Sequence, residues 1–210
     1  MSAAADREKL QRDTGVSRET MARLDCYEGL LRKWNPAINL VSRASLADLW
    51  GRHFLDSAQV FTLAAPQRGV WADLGSGGGF PGLVVAILAA DKAPELSVVL
   101  VESDTRKAAF LATVVRETGI RARISTERAM TVAPLGASYL SARALAPLPV
   151  LLDYASRHLA SDGVAYFSKG ENWKDEILAA RQNWRFEATA HPSKTEASAA
   201  ILEVKGVARA

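Results

Sequence analysis

The chain has 210 residues, which is enough for one domain with a full hydrophobic core. Hydrophobic residues make up 49% and charged residues 23%; a net charge of +3 permits an anionic partner without demonstrating one. The lone Cys26 excludes an internal disulfide and a cysteine zinc site, and it agrees with a reducing compartment. The polar N-terminus and the short apolar runs predict a soluble, cytoplasmic protein.

Residues 1–66 predict a helical extension that packs on the domain following it. The first helix is expected over 3–12, and Ser17 is a good N-cap for a second helix. The pair Asn35-Pro36 is expected to end that second helix, because the residue before proline avoids helical backbone. The string Ser45–Asp48 matches a capping box and predicts the start of a third helix.

From residue 67 to 210 the pattern changes, and strand-like apolar runs alternate with helical ones. Strands are predicted at 70–74, 96–101, 122–125, 139–142, 164–168, 184–189 and 199–204, with helices from residue 83 and over 105–118, 148–159 and 173–180. Alternating strands and helices indicate a mostly parallel seven-stranded sheet of the Rossmann-like α/β class. The last two strands have no helix between them, so they predict an antiparallel hairpin at one edge.

The stretch Val70–Gly82 is the strongest local signal in the chain. A short buried strand ends at Asp73 and Leu74, and glycines then stand at 75, 77, 78 and 79. Glycine permits positive φ and close approach of a ligand to the backbone, which suits a nucleotide-like group between a strand and a helix. Pro81 fits the first turn of the next helix, where its missing N–H is not needed. A tight turn without a ligand would not also require Asp73.

Residues after the second and third strands are further candidates, because ligands of open α/β sheets bind at the carboxyl ends of strands. Glu102 follows the second strand and is placed to accept hydrogen bonds from two ribose hydroxyls. A plain helix N-terminal carboxylate is the alternative interpretation. Ala129 and Met130 follow the third strand and predict an apolar wall for an adenine, although an ordinary loop explains them equally well.

Two cofactor classes compete for this pattern. The glycines at 77, 79 and 82 match the G-x-G-x-x-G string of nicotinamide dinucleotide sites. The match begins two residues too far along the chain, however, and it places Pro81 where the helix should already have begun. Asp73 with glycines at 75, 77 and 79 matches the pattern of S-adenosylmethionine sites without adjustment. A carboxylate beside the loop favours the ammonium and sulfonium groups of that molecule and repels a diphosphate. We therefore expect methyl transfer rather than hydride transfer.

Several separate strings resemble the RsmG (GidB) family of small-subunit ribosomal RNA guanine-N7 methyltransferases. They run from about Trp34 to Lys205 and stand in the order Asn39–Val41, Arg52–Ser57, Asp73–Gly82, Arg143-Ala144 and Lys169-Gly170. The R-H-x-x-D-S string is the most specific, because glycine loops occur in all class I methyltransferases. The resemblance implies the class I methyltransferase fold. It also implies that S-adenosylmethionine is the methyl donor, that no metal is used, and that the acceptor is N7 of one guanine in 16S ribosomal RNA.

The resemblance also assigns roles to individual residues. Arg143, after the fourth strand, would face both the cofactor and the incoming base and position that base. Lys169, at the end of the fifth strand, would meet RNA phosphate. Arg52 and His53 are offered to RNA in the functional interpretation of the R-H-x-x-D-S string. The sequence pattern and the resemblance together give the cofactor-binding candidates, which are Asp73, Gly75, Ser76, Gly77, Gly79, Phe80, Glu102, Ala129, Met130 and Arg143. Relatives often carry Glu at the position of Met130, so a polar contact from that side chain to adenine is not expected here.

The R-H-x-x-D-S string has two interpretations. Arg52, His53 and Asp56 share one edge if the segment is helical, and that edge can border the methyl-transfer pocket. It can equally be a salt-bridged cluster that ties the helical extension to the sheet. A general-base role for His53 is disfavoured, because guanine N7 carries a free lone pair and loses no proton.

Two other functions stay open at this point. An NAD(P)-dependent reductase would use the same fold, and a non-catalytic ribosome-binding factor could have retained it. Asp73, Glu102 and the glycine loop together favour the enzyme over the binding factor. Small-subunit ribosomal RNA or the assembled subunit is the expected partner, and the protein is expected to act as a monomer without a membrane.

Overall fold

A single seven-stranded sheet forms the centre of residues 3–210, which are the residues that the computed structural model describes. In chain order the strands are β1 (Arg68–Leu74), β2 (Glu95–Val101), β3 (Arg123–Ser125), β4 (Ala137–Arg143), β5 (Leu159–Lys169), β6 (Trp184–Pro192) and β7 (Ala200–Arg209). They lie in the order β3-β2-β1-β4-β5-β7-β6. The pairs among β1 to β5 are parallel, and β7 is antiparallel to β5 and β6. The predicted sheet and its edge hairpin are confirmed.

Helices precede the sheet and connect its strands. The N-terminal helices are α1 (Ala3–Thr14), α2 (Arg18–Ile38), α3 (Arg43–Ala47) and α4 (Asp56–Ala64), with a π-helical segment (Trp50–Leu55) leading directly into α4. The later helices are α5 (Gly82–Lys92), α6 (Thr105–Thr118), α7 (Leu148–His158) and α8 (Trp173–Ala180). The predicted alternation of strands and helices is therefore confirmed, together with the helical character of the first part of the chain.

The central strands read as apolar runs because helices cover both faces of the sheet. Trp71, Ala72 and Leu74 of β1 are fully buried, as is Leu100 of β2. Continuous apolar strands are typical of a parallel sheet enclosed on both sides. The chain proceeds outward from β1 to β2 and β3 and then returns to β4 on the other side of β1. This reversal opens a crevice at the carboxyl ends of β1 and β4.

The N-terminal helices pack on the face of the sheet that carries α5 and α6. Met21, Leu24 and Leu31 of α2 are buried in the same hydrophobic core as those two helices. The hydroxyl of Tyr27, also on α2, donates a hydrogen bond to the carbonyl of Gly78 in the glycine loop. The helical segment therefore supports the loop directly, and the division of the chain at residues 66 and 67 into two units stays a prediction.

Two predicted helix boundaries are wrong. Helix α2 does not end at Asn35-Pro36 but continues to Ile38. Proline in the last turn removes only one backbone hydrogen bond, and the side chain of Asn35 accepts a hydrogen bond from Val41 N at 2.8 Å. The third helix starts after Ser42 rather than at Ser45, because the Ser42 hydroxyl accepts a hydrogen bond from Ser45 N at 3.1 Å.

Candidate functional site

A cavity of about 450 Å³ lies at the carboxyl ends of β1, β2 and β4, where the strand order reverses. That volume is within the usual range for small-molecule sites. Its walls are formed by Leu40, Gly75–Gly78, Phe80, Val101–Ser103, Lys107, Glu127–Met130, Arg143–Leu145 and Tyr154. The structure thus brings together most of the predicted cofactor-binding residues, which come from four separate parts of the chain.

The glycine loop forms one wall of the cavity. Gly75 has φ 65° and Gly77 has φ 54°, which is backbone that residues with a side chain rarely adopt. A Cβ on Gly75 would lie 2.5 Å from a methyl group of Leu145. Ser76 N donates to Val101 O at 3.0 Å and fastens the loop to the end of β2. The bare backbone of Gly75 to Gly78 is therefore held open toward the cavity.

Glu102 places a carboxylate in the wall beside this loop. Its Oε2 accepts from Gly77 N at 2.8 Å, and its Oε1 accepts from Asp104 N at 2.8 Å. The residue is 7% exposed and lines the cavity. Each carboxylate oxygen has a further lone pair, so both can still accept a hydrogen bond from a ligand hydroxyl. This is the arrangement that a ribose requires.

Asp73 lies behind the cavity rather than in its wall. The residue is 1% exposed; its Oδ1 accepts from Ser141 Oγ at 2.6 Å, and its Oδ2 accepts from Gly82 N at 3.2 Å. Burial raises its pKa to about 6, against an ordinary value of 3.8. In the structure this carboxylate bonds to Ser141 of β4 and to the first residue of α5. An effect of Asp73 on a bound cation, directly or through water, stays a prediction.

The N-terminus of α5 has no free donors at its first two residues for a diphosphate. Gly82 N donates to the Asp73 carboxylate, and Leu83 N donates to Gly79 O at 2.8 Å. Dinucleotide sites use such helix N-terminal N–H groups to bind the diphosphate. Gly79, which the sequence assigned to the cofactor, has φ 95° and faces Leu83 and Tyr27 instead of the cavity. These contacts disfavour a nicotinamide dinucleotide.

The buried Asp73 predicts a specific dependence of stability on pH. Its pKa is raised in the folded state, so the folded protein binds this proton more tightly than the unfolded chain does. Its contribution to the free energy of unfolding therefore falls as pH rises from about 4 to about 6 and is constant above that range. The total change corresponds to about 3 kcal/mol.

Urea unfolding of the wild type and of Asp73→Asn between pH 4 and 7.5 measures this contribution. The free energy of unfolding of the wild type, minus that of the variant, is expected to decrease across this window. Asp153→Asn, which replaces an exposed carboxylate paired with Arg209, serves as the control. A difference between wild type and Asp73→Asn that does not change with pH would contradict the assigned pKa.

The opposite wall carries Ala129 and Met130. Met130 is 63% exposed, so it presents an apolar surface at the edge of the cavity. The carbonyl of Ala129 accepts a hydrogen bond from His158 Nε2 at 2.7 Å. Sequence reasoning missed His158, because a histidine in the last turn of a helix gives no signal of a contact with a distant loop. His158 holds this wall in place from the far side of the cavity.

Arg143 stands where the cavity meets a second, open groove of about 300 Å³. Its guanidinium lies 5.1 Å from the ring centre of Phe80 and donates from Nη1 to the carbonyl of Arg52 at 3.3 Å. The same Nη1 is 3.9 Å from Asp56 Oδ2. Arg143 and Ala144 line both spaces. Arg143 therefore lies at the boundary between the two spaces.

The R-H-x-x-D-S string lies on the π-helical segment and the start of α4, and its side chains have different surroundings. Arg52 lines the second groove, is about half exposed and pairs with Glu196 at 3.4 Å. His53 instead stacks on Phe80 with ring centres 4.8 Å apart, and both ring nitrogens are buried without a hydrogen-bond partner. Burial lowers the pKa of His53 to about 3. His53 is therefore a neutral residue packed on Phe80, and its contact with RNA stays a prediction.

Lys169 also lines the second groove, but its amine is already engaged within the protein. Its Nζ pairs with Glu176 Oε2 at 2.6 Å and donates to Ala146 O at 3.1 Å. Glu176 in turn accepts from Leu148 N at 2.6 Å. These bonds join β5, α8 and α7, so Lys169 has a structural role that the sequence did not reveal.

Within residues 3–210, no cluster of three or more His, Cys, Asp or Glu side chains is arranged to hold a metal ion. Among these same residues, none of the helices is long and apolar enough to span a bilayer.

The sequence model of one protein family matches residues 20–203, and that family is described as GidB, rRNA small subunit methyltransferase G. The chain belongs to this family. The resemblance to RsmG (GidB) proteins that the separate strings indicated is thereby confirmed.

Curated GidB relatives match over almost the whole chain. The ribosomal RNA small subunit methyltransferase G of Ruegeria sp. strain TM1040 is 54% identical over 194 residues, which cover 92% of this chain and 94% of the relative. The protein of the same description from Paracoccus denitrificans is 47% identical over 196 residues, covering 93% and 99%. The chain is thus similar to these relatives over their full length rather than to a part of them.

Solved structures agree with the GidB assignment at the level of the fold. A TehB-like SAM-dependent methyltransferase from Corynebacterium glutamicum has a TM-score of 0.58 at 15% identity and covers 86% of this chain and 98% of its own. Aeropyrum pernix fibrillarin, solved with bound S-adenosyl-L-methionine, has a TM-score of 0.54 at 18% identity, with 73% and 74% covered. At this identity the similarity concerns the fold alone, which is that of a Rossmann-like methyltransferase.

Proposed function

We propose that the protein transfers a methyl group from S-adenosylmethionine to N7 of a guanine in 16S ribosomal RNA. The observation that supports this most strongly is the pair of adjoining spaces in a GidB-family chain. One is a partly open cavity with the glycine loop and Glu102 in its wall, and the other is a more open groove that meets it at Arg143. A small methyl donor and a nucleobase can thus reach each other from opposite sides.

The residues that line the cavity fit S-adenosylmethionine. The Glu102 carboxylate would accept from the ribose hydroxyls, and the backbone of Gly75, Ser76 and Gly77 would lie along the amino-acid part. Ala129 and Met130 would cover the adenine. The first two N–H groups of α5 are already hydrogen-bonded within the protein and cannot donate to a diphosphate. S-adenosylmethionine has no diphosphate and does not need these donors. When bound, S-adenosylmethionine supplies an electrophilic methyl group attached to a positively charged sulfur.

The chemistry requires alignment and no proton transfer. Guanine N7 carries a free lone pair at neutral pH, so no general base is needed to generate the nucleophile. His53 agrees with this, because it is neutral, buried and stacked on Phe80 instead of facing the groove. Correct placement of two reactants can lower a barrier by roughly 7–11 kcal/mol at best. Arg143, at the junction of the two spaces, is the residue we assign to placing the guanine.

RNA is expected to bind along the open groove with the target base unstacked from its neighbours. Proteins read RNA mainly at such bases, and phosphate contacts make the binding sensitive to salt. Arg52 is about half exposed on the groove, and its partner Glu196 is equally exposed at 3.4 Å, so this surface pair can open to accept a phosphate. Arg52 is therefore the best-supported RNA contact among those predicted.

Glu102→Gln is expected to weaken binding of S-adenosylhomocysteine at least about tenfold. The amide replaces one carboxylate oxygen with a donor, which faces Gly77 N or Asp104 N and can no longer accept from a ribose hydroxyl. Isothermal calorimetry measures the change, and Glu95→Gln, at the opposite end of β2, is the matched control. Unchanged affinity in Glu102→Gln would remove this residue from the site.

The same calorimeter separates methyl transfer from hydride transfer. S-adenosylmethionine and S-adenosylhomocysteine are expected to bind, and NAD and NADP in either redox state are not. Tight binding of a nicotinamide dinucleotide without binding of S-adenosylmethionine would replace this proposal with the reductase.

We also propose that the protein acts as a monomer in the cytoplasm, where ribosomal RNA is available. The methyl-donor cavity and the groove are both formed by residues of one chain, so neither is incomplete without a second copy. Light scattering after gel filtration tests the monomer, and a dimer at micromolar concentration would contradict it.

A further inference from the structure

The groove beside the cavity contains one carboxylate that its protein contacts leave poorly satisfied. The side chain of Asp56 is only 14% exposed. Its Oδ1 accepts from Ser193 Oγ at 3.4 Å and from Thr195 Oγ1 at 3.5 Å, and its Oδ2 lies 3.9 Å from Arg143 Nη1. Hydroxyl donors normally approach an ionised carboxylate to 2.5–2.7 Å. A buried carboxylate with three long contacts has capacity for a closer donor.

Asp56 and Arg143 present a hydrogen-bond acceptor and a hydrogen-bond donor side by side in the groove. A guanidinium that donates stands 3.9 Å from a carboxylate that accepts, and both line the groove where it meets the methyl-donor cavity. Guanine carries its acceptor O6 between N7 and N1–H, and its N2 amino group is the next donor along that edge. Adenine has the opposite order, with an amino donor at position 6 and an acceptor at N1.

We infer that Asp56 determines the base specificity of this enzyme, accepting from N1–H and the N2 amino group of the target guanine while Arg143 donates to O6. This inference rests on the proposed function. The same placement directs N7, which adjoins O6, toward the cavity side of Arg143. Adenine in that position would set a donor against the guanidinium and an unprotonated nitrogen against the carboxylate, so it is rejected.

Asp56 also acts on the reaction itself. The base is neutral when it binds and positively charged once N7 has formed its bond to the methyl carbon. A carboxylate beside N1–H therefore interacts more strongly with the developing cation than with the bound guanine, and such interactions lower the barrier. Burial, the largest influence on its pKa, raises that pKa. This agrees with a carboxylate that lacks close hydrogen-bond donors before RNA binds.

The test uses small-subunit particles assembled with either guanosine or inosine at the nucleotide that the enzyme methylates. Inosine keeps O6, N7 and N1–H and lacks only the N2 amino group. The wild type is expected to prefer guanosine by about tenfold or more in kcat/KM, as loss of a hydrogen bond to a charged group predicts. In Asp56→Asn, which can still accept from Ser193 and Thr195, the preference is expected to fall below about threefold because the charge is lost.

Two controls distinguish reading of the base from a structural role. Glu196→Gln removes another carboxylate from the same groove and is expected to retain the wild-type preference for guanosine. If Asp56→Asn turns over too slowly, the equilibrium affinities of the two particles for this variant give the same comparison. An equal preference in wild type and Asp56→Asn, or no preference in the wild type, overturns the inference. Methylation of the guanosine particles by the wild type supports the proposed function in either case.

Discussion

Arg143→Ala is expected to lower kcat/KM for methyl transfer by roughly 100-fold or more while the protein stays folded. Removing one positioned donor from an active site typically has an effect of this size. The guanidinium sits between the two spaces, 5.1 Å from the Phe80 ring and bonded to the Arg52 carbonyl. Loss of Arg143 leaves Asp56 without the cation 3.9 Å from its Oδ2, so the pKa of Asp56, already raised by burial, rises further.

Initial rates with labelled S-adenosylmethionine measure the loss, and calorimetry with S-adenosylhomocysteine shows whether donor binding is retained. Arg143→Lys keeps the charge without the planar fork and is expected to retain part of the activity. Arg116→Ala removes an exposed arginine that pairs with its neighbour Glu117, so it is the matched control with unchanged rates. Normal turnover of Arg143→Ala would reject the positioning role.

Gly82→Ala is expected to be the most damaging single-methyl change in the loop region. A Cβ on Gly82 would stand 2.5 Å from Asp73 Oδ2 and 2.7 Å from Asp73 Cβ, and it would also meet a methyl group of Leu100. The Asp73 Cβ is fixed by the backbone of β1, so α5 must move away from the sheet. Overpacking of this kind typically costs 1–3 kcal/mol, and displacement of the Gly82 N bond to Asp73 places the expected loss at about 3 kcal/mol.

Gly29→Ala is the matched control, because Gly29 also lies in a helix but a Cβ added to it would meet no neighbouring atom within 4 Å. Alanine there is expected to stabilise the protein by about 0.5–1 kcal/mol. Urea unfolding gives both values, and calorimetry is expected to show weaker donor binding for Gly82→Ala alone. Equal stability of the two variants would mean that the contact between α5 and β1 is looser than described.

The fold and the cofactor loop were predictable because their signals are local. An apolar run, a glycine cluster and a second apolar run specify β1, the loop and α5 within the single stretch 68–92. The place of Glu102 in the site was also predictable, because it directly follows β2 and the carboxyl ends of parallel strands meet at one edge of the sheet. Positive φ at Gly75 and Gly77 is the physical reason that this stretch carries its glycines.

The roles of several polar residues were not predictable, because they depend on partners far away in sequence. Asp73 is turned toward Ser141 and Gly82 instead of the cavity, and Lys169 is paired with Glu176. His53 and Asp56 are three residues apart on one segment, yet one is buried against Phe80 and the other lines the groove. Only the three-dimensional contacts distinguish a packing histidine from a carboxylate that lines the groove.

The proposed function requires that the cavity and the groove bring a methyl donor to N7 of a guanine. Small subunits from cells that lack this protein, incubated with the purified enzyme and labelled S-adenosylmethionine, test it most directly. Mass spectrometry of the RNA is expected to show N7-methylguanosine at one position of the small-subunit RNA, and none with Arg143→Ala. A methyl group on another atom or base, or no label despite measurable donor binding, would overturn the proposed function.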